Sequence, residues 1–298
     1  MLVGDRESIV FVNGEFLPES KARISPFDHG LLYGYGVWDT VLTCNGYIFR
    51  LEEHIDRLLL SARALGLVVP WSKDQLKQIV IETVGRNRLS NAYAKFLITK
   101  GPGPPLITAE CEKPSLVVLV HPSEPPVPPE LTKGKKAVIV SIRSIPPQCG
   151  IEPRIKQLNY LNRGLMIAEA KRAGADYALV MDINGFVVEG ATQNLFIVRN
   201  KVICTPPLQS VLDGVTRRMI FEIAEKRGHS IVEGTMTPYD VYVADEVFIT
   251  ATAVGGIIPI TEVDGRPIGT HSPGGITKEL LQRYWEMLQS GEGAIRVF

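Results

Sequence analysis

Apolar and polar residues alternate, cluster and break along this chain so as to mark out its elements before any chemistry is considered. Ile9-Val10-Phe11-Val12 and Glu15-Phe16-Leu17-Pro18 flank Asn13-Gly14, and Asn-Gly between apolar runs is the strongest short hairpin signal. A second Asn-Gly turn, Asn45-Gly46, leads into Ile48-Phe49-Arg50-Leu51. Between them, Ser25-Pro26-Phe27-Asp28-His29-Gly30 is a turn-rich connection into 31–41, read as a strand. Its glycines allow close backbone approach, and Tyr33, Tyr35 and Trp38 supply aromatic walls. Residues 52–60 follow helical spacing, with Glu52 and Glu53 placed to complement the helix dipole. Residues 74–86 form a second amphipathic helix, whereas 92–101 alternate with the period of a strand.

The second half is richer in strands. Proline clusters at Pro104-Pro105 and at 124–129 bracket a strand over 116–120, and the later cluster with Lys133-Gly134-Lys135-Lys136 reads as an extended linker. A buried strand is expected at 137–142, then a loop over 146–150. Residues 159–172 are helical and stop at Gly174, a natural residue for the left-handed helix end. Strands at 177–181, 187–189, 194–198 and 202–205 belong to one antiparallel-rich sheet. An amphipathic helix opens at Val215, a strand covers 246–250, and 277–288 is a closing helix. The pattern predicts an α/β chain of the α+β type: a small N-terminal domain over 1–120, a linker over 121–136 and a larger C-terminal domain over 137–298.

Composition narrows the class. A chain of 298 residues is long for one core, and 45% hydrophobic with 21% charged residues is ordinary for a globular protein. Thirty-two basic residues balance thirty-two acidic ones, so no global field recruits nucleic acid or an anionic membrane. The absence of an apolar leader or a long apolar run points to a cytoplasmic protein. Cys44, Cys111, Cys149 and Cys204 show no metal-ligand spacing and no disulfide framework, and no metal site is expected.

Two stretches carry the chemistry. Lys156 stands just ahead of the apolar, helix-forming run of Leu161, Leu165 and Met166, and Glu189 lies in a small Gly- and Asn-rich turn after Asn184-Gly185. An ammonium is disfavoured in an apolar surround, which frees the amine for imine chemistry, and a carboxylate nearby stabilises a protonated pyridine ring. Those are the two demands of pyridoxal 5′-phosphate (PLP). At Leu212-Asp213-Gly214-Val215-Thr216-Arg217, glycine followed by a hydroxyl residue at a helix start offers backbone N–H groups to an anion. The small residues of Ala251-Thr252-Ala253-Val254-Gly255-Gly256 again permit close backbone approach. An anionic cofactor held between two domains accounts for both.

Lys156 followed by Asn159-Tyr160-Leu161, with Glu189-Gly190 followed by Asn194-Leu195-Phe196, resembles the class IV aminotransferases, the fold-type IV PLP enzymes. These include branched-chain aminotransferases, D-amino-acid transaminases, (R)-selective amine transaminases and aminodeoxychorismate lyases. The resemblance covers nearly the whole chain. It implies a C-terminal pseudo-barrel, a Lys156 Schiff base (aldimine) with PLP, Glu189 on the ring nitrogen, and Tyr160 and Asn194 beside the cofactor. Phe49-Arg50-Leu51 and His54 to Leu58 match the motif whose arginine binds the cofactor phosphate, which implies Arg57, joined by Val215, Thr216 and Thr252; His54 reads as a structural hydrogen-bonding group. Tyr33, Trp38, Thr40, Lys95, Lys100, Ala253 and Val254 are implied on the substrate side, partly across a homodimer interface.

Three departures bear on specificity. Trp38-Asp39-Thr40 stand where branched-chain enzymes carry Phe-Glu-Gly. Lys95 and Lys100 occupy positions where branched-chain and D-amino-acid enzymes, respectively, place arginine, and an ammonium attracts a carboxylate as a point charge rather than a fork. Gly255-Gly256 is closer to (R)-amine transaminases. The expected reaction is ping-pong transfer from a branched-chain L-amino acid to 2-oxoglutarate or another 2-oxo acid. A D-amino-acid or (R)-amine donor comes second, a lyase acting on aminodeoxychorismate third, and a PLP-binding protein without catalysis last.

Overall fold

The computed structural model describes residues 7–123, 133–144, 150–253 and 255–298. The chain divides into two compact units, and the first draws its described residues from Met1–Pro125, Ile155–Asn159 and Leu288–Phe298. Its sheet contains β1 (Ile9–Val12), β2 (Glu15–Pro18), β3 (Gly36–Cys44), β4 (Tyr47–Phe49), β5 (Ala92–Thr99), β6 (Ser115–Pro122) and β16 (Ala294–Arg296). The strand order is β16-β4-β3-β5-β6-β1-β2. Both Asn-Gly turns take the positive φ they require, 51° and 108° at Asn13-Gly14 and 51° and 77° at Asn45-Gly46.

Against this sheet pack α2 (Leu51–Ala64) and α3 (Lys73–Asn87), burying Ile55, Leu58, Leu76, Val80 and Val84 with Val41, Phe96 and Val118. Ser72 and Gln75 close a reciprocal capping box at the start of α3. The strand expected over 31–41 begins only at Gly36. Residues His29–Tyr33 instead form a single-turn helix, α1. The cause is a cap and a stop: Asp28 accepts the Gly30 N–H at 2.7 Å, and Gly34 ends the turn at φ 65°. Asp28 also accepts hydroxyl bonds from Thr99 and Ser115, at 3.0 and 2.6 Å, which ties α1 to β5 and β6.

The second unit draws on Pro126–Arg154 and Tyr160–Met287. Its strands are β7 (Lys135–Ile139), β8 (Tyr177–Met181), β9 (Val187–Gly190), β10 (Asn194–Arg199), β11 (Val202–Thr205), β12 (Ile231–Glu233), β13 (Glu246–Ala251), β14 (Gly256–Val263) and β15 (Arg266–Pro267). They run β12-β11-β10-β13-β14-β7-β8-β9, and β9 also pairs with β10, so six of them close into a ring. This is the expected pseudo-barrel. Its interior holds Leu179, Val187, Leu195, Ile249, Ile258 and Ile260.

Around the ring are α4 (Leu161–Arg172), α5 (Val215–Arg227), α6 (Pro238–Tyr242) and α7 (Gly275–Ser290). The buried strand expected at 137–142 is displaced: β7 starts at Lys135, ends at Ile139, and exposes both lysines. Parallel pairing with β14 draws Lys135 and Lys136 into the sheet, a demand that a sequence rich in lysine and glycine does not announce. Residues 124–132, within the expected linker, and 145–149, which take in all but the last residue of the expected loop, lie outside the described residues.

Candidate active site

In the first unit the site is built on a stretch of strand edge that β4 leaves open. Nearly all of β3 pairs with β5, from Gly36 opposite Thr99 to Thr43 opposite Ala92, whereas on the other edge β4 reaches only Thr43 and Cys44. The remaining edge is taken by 156–158: Trp38 N–H donates to the Lys156 carbonyl and Leu158 N–H to that of Gly36, each at 3.0 Å. The Trp38 indole N–H adds a bond to the Gln157 carbonyl at 2.9 Å. Gly36 is required here, because a Cβ would fall 2.6 Å from both the Ile98 carbonyl and Leu158 Cδ1.

Lys156 is thereby buried, with Nζ 3.9 Å from the centre of the Trp38 ring and its backbone N–H on Ser61 Oγ at 3.2 Å. Trp38 and Thr40 share one face of β3, and Lys95 stands directly opposite Thr40 on β5. Lys95 Nζ comes within 4.2 Å of the same indole. Burial and then the neighbouring Lys156 push the Lys95 ammonium below its ordinary pKa. The Thr40 hydroxyl is buried and has no hydrogen-bond partner among the described residues. Two lysine side chains and an unsatisfied hydroxyl are therefore gathered beside one aromatic ring.

Asp39 faces the other side of β3, against α2. Arg57 grips it with Nε on Oδ2 at 2.8 Å and Nη2 on Oδ1 at 2.7 Å, and His54 Nδ1 lies 2.8 Å from Oδ1. Burial alone would raise the Asp39 carboxyl, but the Arg57 guanidinium and the His54 imidazole hold it well below the usual carboxylate range. An ionised carboxylate only accepts, so His54 Nδ1 carries the proton. Burial lowers the His54 pKa, against the pull of Asp39. His54 is a structural hydrogen-bonding group, as its sequence position implied. Lys100 Nζ donates to the Ala109 carbonyl at 2.8 Å and lies over Tyr35, while the Tyr33 ring meets His29 edge-on at 5.0 Å.

The second unit supplies a row of polar groups across its sheet. Glu189 pairs directly with Asn194, and Asn194 with Thr250, so their side chains share a face. Asn194 Nδ2 donates to the Leu212 carbonyl at 2.9 Å and so fixes the turn into α5. That turn is cut for close approach: a Cβ on Gly214 would sit 2.1 Å from Asn194 Oδ1. Gly214 offers α5 no side-chain cap. The first N–H groups of this helix, at Val215 and Thr216, have no earlier helical carbonyl to meet, and the dipole favours an anion there. Thr216 Oγ1 lies 3.4 Å from Thr252 Oγ1, and the buried Thr250 hydroxyl has no partner. Thr252 belongs to the turn joining β13 to β14, with Ala253 exposed on it; Val254 lies outside the described residues.

Glu189 is 4% exposed at its side chain and is paired with Arg163, whose Nη2 meets Oε1 at 2.5 Å. Its Oε2 accepts only a long bond from the Leu212 N–H at 3.4 Å. Glu189 and then Tyr160, the residue just before α4, raise the Arg163 pKa, against burial. Sequence reasoning passed over Arg163 and gave Asp39 only a role in pocket shape. The available signal for Arg163 was a cation in the first turn of a helix, where the dipole disfavours it unless an anion compensates.

Each unit carries groups of the kind pyridoxal phosphate needs: the first a buried lysine for its aldehyde, the second an uncapped helix start with two hydroxyls for its phosphate and a carboxylate for its ring nitrogen. The family model described as Amino-transferase class IV matches residues 36–263. A putative branched-chain-amino-acid aminotransferase of Methanocaldococcus jannaschii is 42% identical over 92% of this chain and 94% of its own length. The D-alanine aminotransferase of Bacillus licheniformis is 30% identical over 91% and 94%. Among solved structures, the branched-chain amino acid aminotransferase of Escherichia coli superposes with a TM-score of 0.92 at 28% identity, covering 98% of this chain and 100% of its own. A thermophilic archaeal one, from Thermoproteus uzoniensis with norvaline, superposes with a TM-score of 0.89 at 30% identity. It covers 98% of this chain and 100% of its own. The chain belongs to the class IV aminotransferases and is a PLP-dependent aminotransferase.

Proposed function

We propose that this enzyme moves the amino group of a branched-chain L-amino acid to a 2-oxo acid such as 2-oxoglutarate, the first product leaving before the acceptor binds. The observation that carries the reading is the buried Lys156 seated on Trp38. When bound, PLP supplies an aldehyde that captures amines and a ring that accepts electron density. Lys156 Nζ, buried against the Trp38 ring, then moves the proton from the donor's Cα. Glu189 holds the proton on the ring nitrogen. Val215, Thr216 and Thr252 bind the phosphate, with Arg57 held ready by Asp39, and Tyr160 and Asn194 orient the ring and the phosphate turn. Lys95 and the unpartnered Thr40 hydroxyl receive the donor's carboxylate, and Trp38 and Tyr33 wall the apolar side chain. The family resemblance also assigns Ala253 and Val254 to the substrate side, Val254 lying outside the described residues.

The D-amino-acid reading is kept by Lys100 and by the D-alanine aminotransferase relative. One titration separates the two. Loss of the visible cofactor band on mixing with L-leucine, but not D-alanine or (R)-1-phenylethylamine, is the expected result; conversion with D-alanine instead would overturn the branched-chain assignment. Lys156→Ala is expected to lose the band and turnover together, and near wild-type turnover in that variant would remove the central assignment.

We further propose a cytoplasmic homodimer. Free thiols at Cys44, Cys111 and Cys204 suit a reducing compartment. Among the described residues no helix is long and apolar enough to cross a membrane. The loop pair joined by the Asp28–Pro102 bridge exposes Phe27, Leu31, Leu106 and Ile107, each more than half accessible, and such a patch fits a second copy.

A further inference from the structure

Arg163 takes no part in the proton transfers, yet its position is costly. It lies in the first turn of α4, where its charge opposes the helix dipole, and its side chain is only 22% exposed. A guanidinium placed there is stabilised by what it meets: Nη2 contacts Glu189 Oε1 at 2.5 Å, and Nη1 lies 3.4 Å from the Gly190 carbonyl. Glu189 itself is 4% exposed. A carboxylate so enclosed needs hydrogen-bonding partners to offset its desolvation. One of its oxygens carries the strong charge-assisted bond, while the other has only the 3.4 Å contact with the Leu212 N–H. Oε2 is thus the oxygen with acceptor capacity to spare.

We propose that Arg163 is a positioning residue for the ring-nitrogen contact: it anchors Oε1 and leaves Oε2 to receive the ring N–H. This rests on Glu189 serving the ring nitrogen, as proposed above. The side chain therefore acts on cofactor recognition through another residue rather than touching the reacting atoms. A consequence follows for selectivity among cofactors. The enzyme should prefer PLP over its carbocyclic 1-deaza analogue, in which CH replaces the ring nitrogen, and Arg163 should be needed for that preference.

The experiment is a fluorescence titration of the cofactor-free protein with PLP and with the 1-deaza analogue, for the wild type, Arg163→Met, Arg163→Lys and Glu189→Gln. The expected result is that Arg163→Met lowers the preference for PLP about tenfold, by weakening PLP and leaving the analogue unchanged. Arg163→Lys should restore most of it. Equal weakening of both ligands by Arg163→Met would make the residue merely structural and overturn the proposal, as would an unchanged or increased preference. Glu189→Gln separates the two layers. If it lowers the preference while Arg163→Met does not, only the role of Arg163 fails. If Glu189→Gln leaves the preference intact, the assignment of Glu189 to the ring nitrogen fails first, and the Arg163 proposal with it.

Discussion

Asp39→Asn removes one charge from the first unit while nearly conserving its shape. Asp39 is fully buried, and Arg57 is 7% exposed. At 2.7 Å and an effective permittivity of about 20, their gross attraction is about 6 kcal/mol, offset by several kcal/mol of desolvation per ion. Breaking such a pair strands a buried guanidinium, which costs about 3–5 kcal/mol. We expect the variant to lose about 3 kcal/mol in urea denaturation of the cofactor-free protein at pH 7, and about 6–12 °C in melting temperature. The double variant with Arg57→Met should recover part of that loss, since neither charge is then left alone. Asp39 has a depressed pKa when folded, so its contribution is fully present above the unfolded value near 4 and is lost as pH falls towards the folded one. His54, also lowered, must charge on unfolding, so stability falls further as pH drops below about 6.5. The wild type should therefore lose stability in acid more steeply than Asp39→Asn. A variant melting within about 2 °C of the wild type, with an unchanged acid slope, would refute the reasoning.

Thr216→Ala should weaken PLP binding about tenfold in a fluorescence titration while leaving the melting temperature of the cofactor-free protein within about 3 °C, because the lost group is a hydroxyl at an anion cradle. Gly256→Ala should cost at least about 2 kcal/mol by denaturation: the residue sits at φ 99°, and a Cβ would lie 2.0 Å from the buried Tyr284 ring. Leu31→Glu is expected to convert a dimer to a monomer by light scattering; an unchanged mass would remove that patch from the interface.

Much of this fold is local and therefore legible. Asn13-Gly14 and Asn45-Gly46 specify their own turns, Gly174 ends α4 at φ 74°, and strands β8 and β11 fall where alternation places them. The errors have a common origin in tertiary demands. The α1 turn rests on Asp28, whose carboxylate is held by β5 and β6 from distant parts of the chain. Lys135 and Lys136 read as linker because their pairing partner, β14, lies far downstream. The site divides the same way. Lys156 and Glu189 are proposed from the motifs that surround them, whereas the pairings of Asp39 with Arg57 and of Glu189 with Arg163 join residues 18 and 26 positions apart. No helical or strand period relates such pairs, so only coordinates reveal them.

The first unit's sheet is finished by β16, whose residues follow every strand of the second unit in the sequence. Its β3 edge is likewise filled by 156–158. During synthesis the first unit therefore emerges with two stretches of strand edge unmet, and it waits for the ribosome to deliver Lys156 and then β16. A fragment ending near Pro125 would keep both edges raw, an invitation to pair with its neighbours. The lysine proposed for catalysis is thus also a late-arriving piece of the scaffold, and the order of translation couples completion of the fold to its arrival.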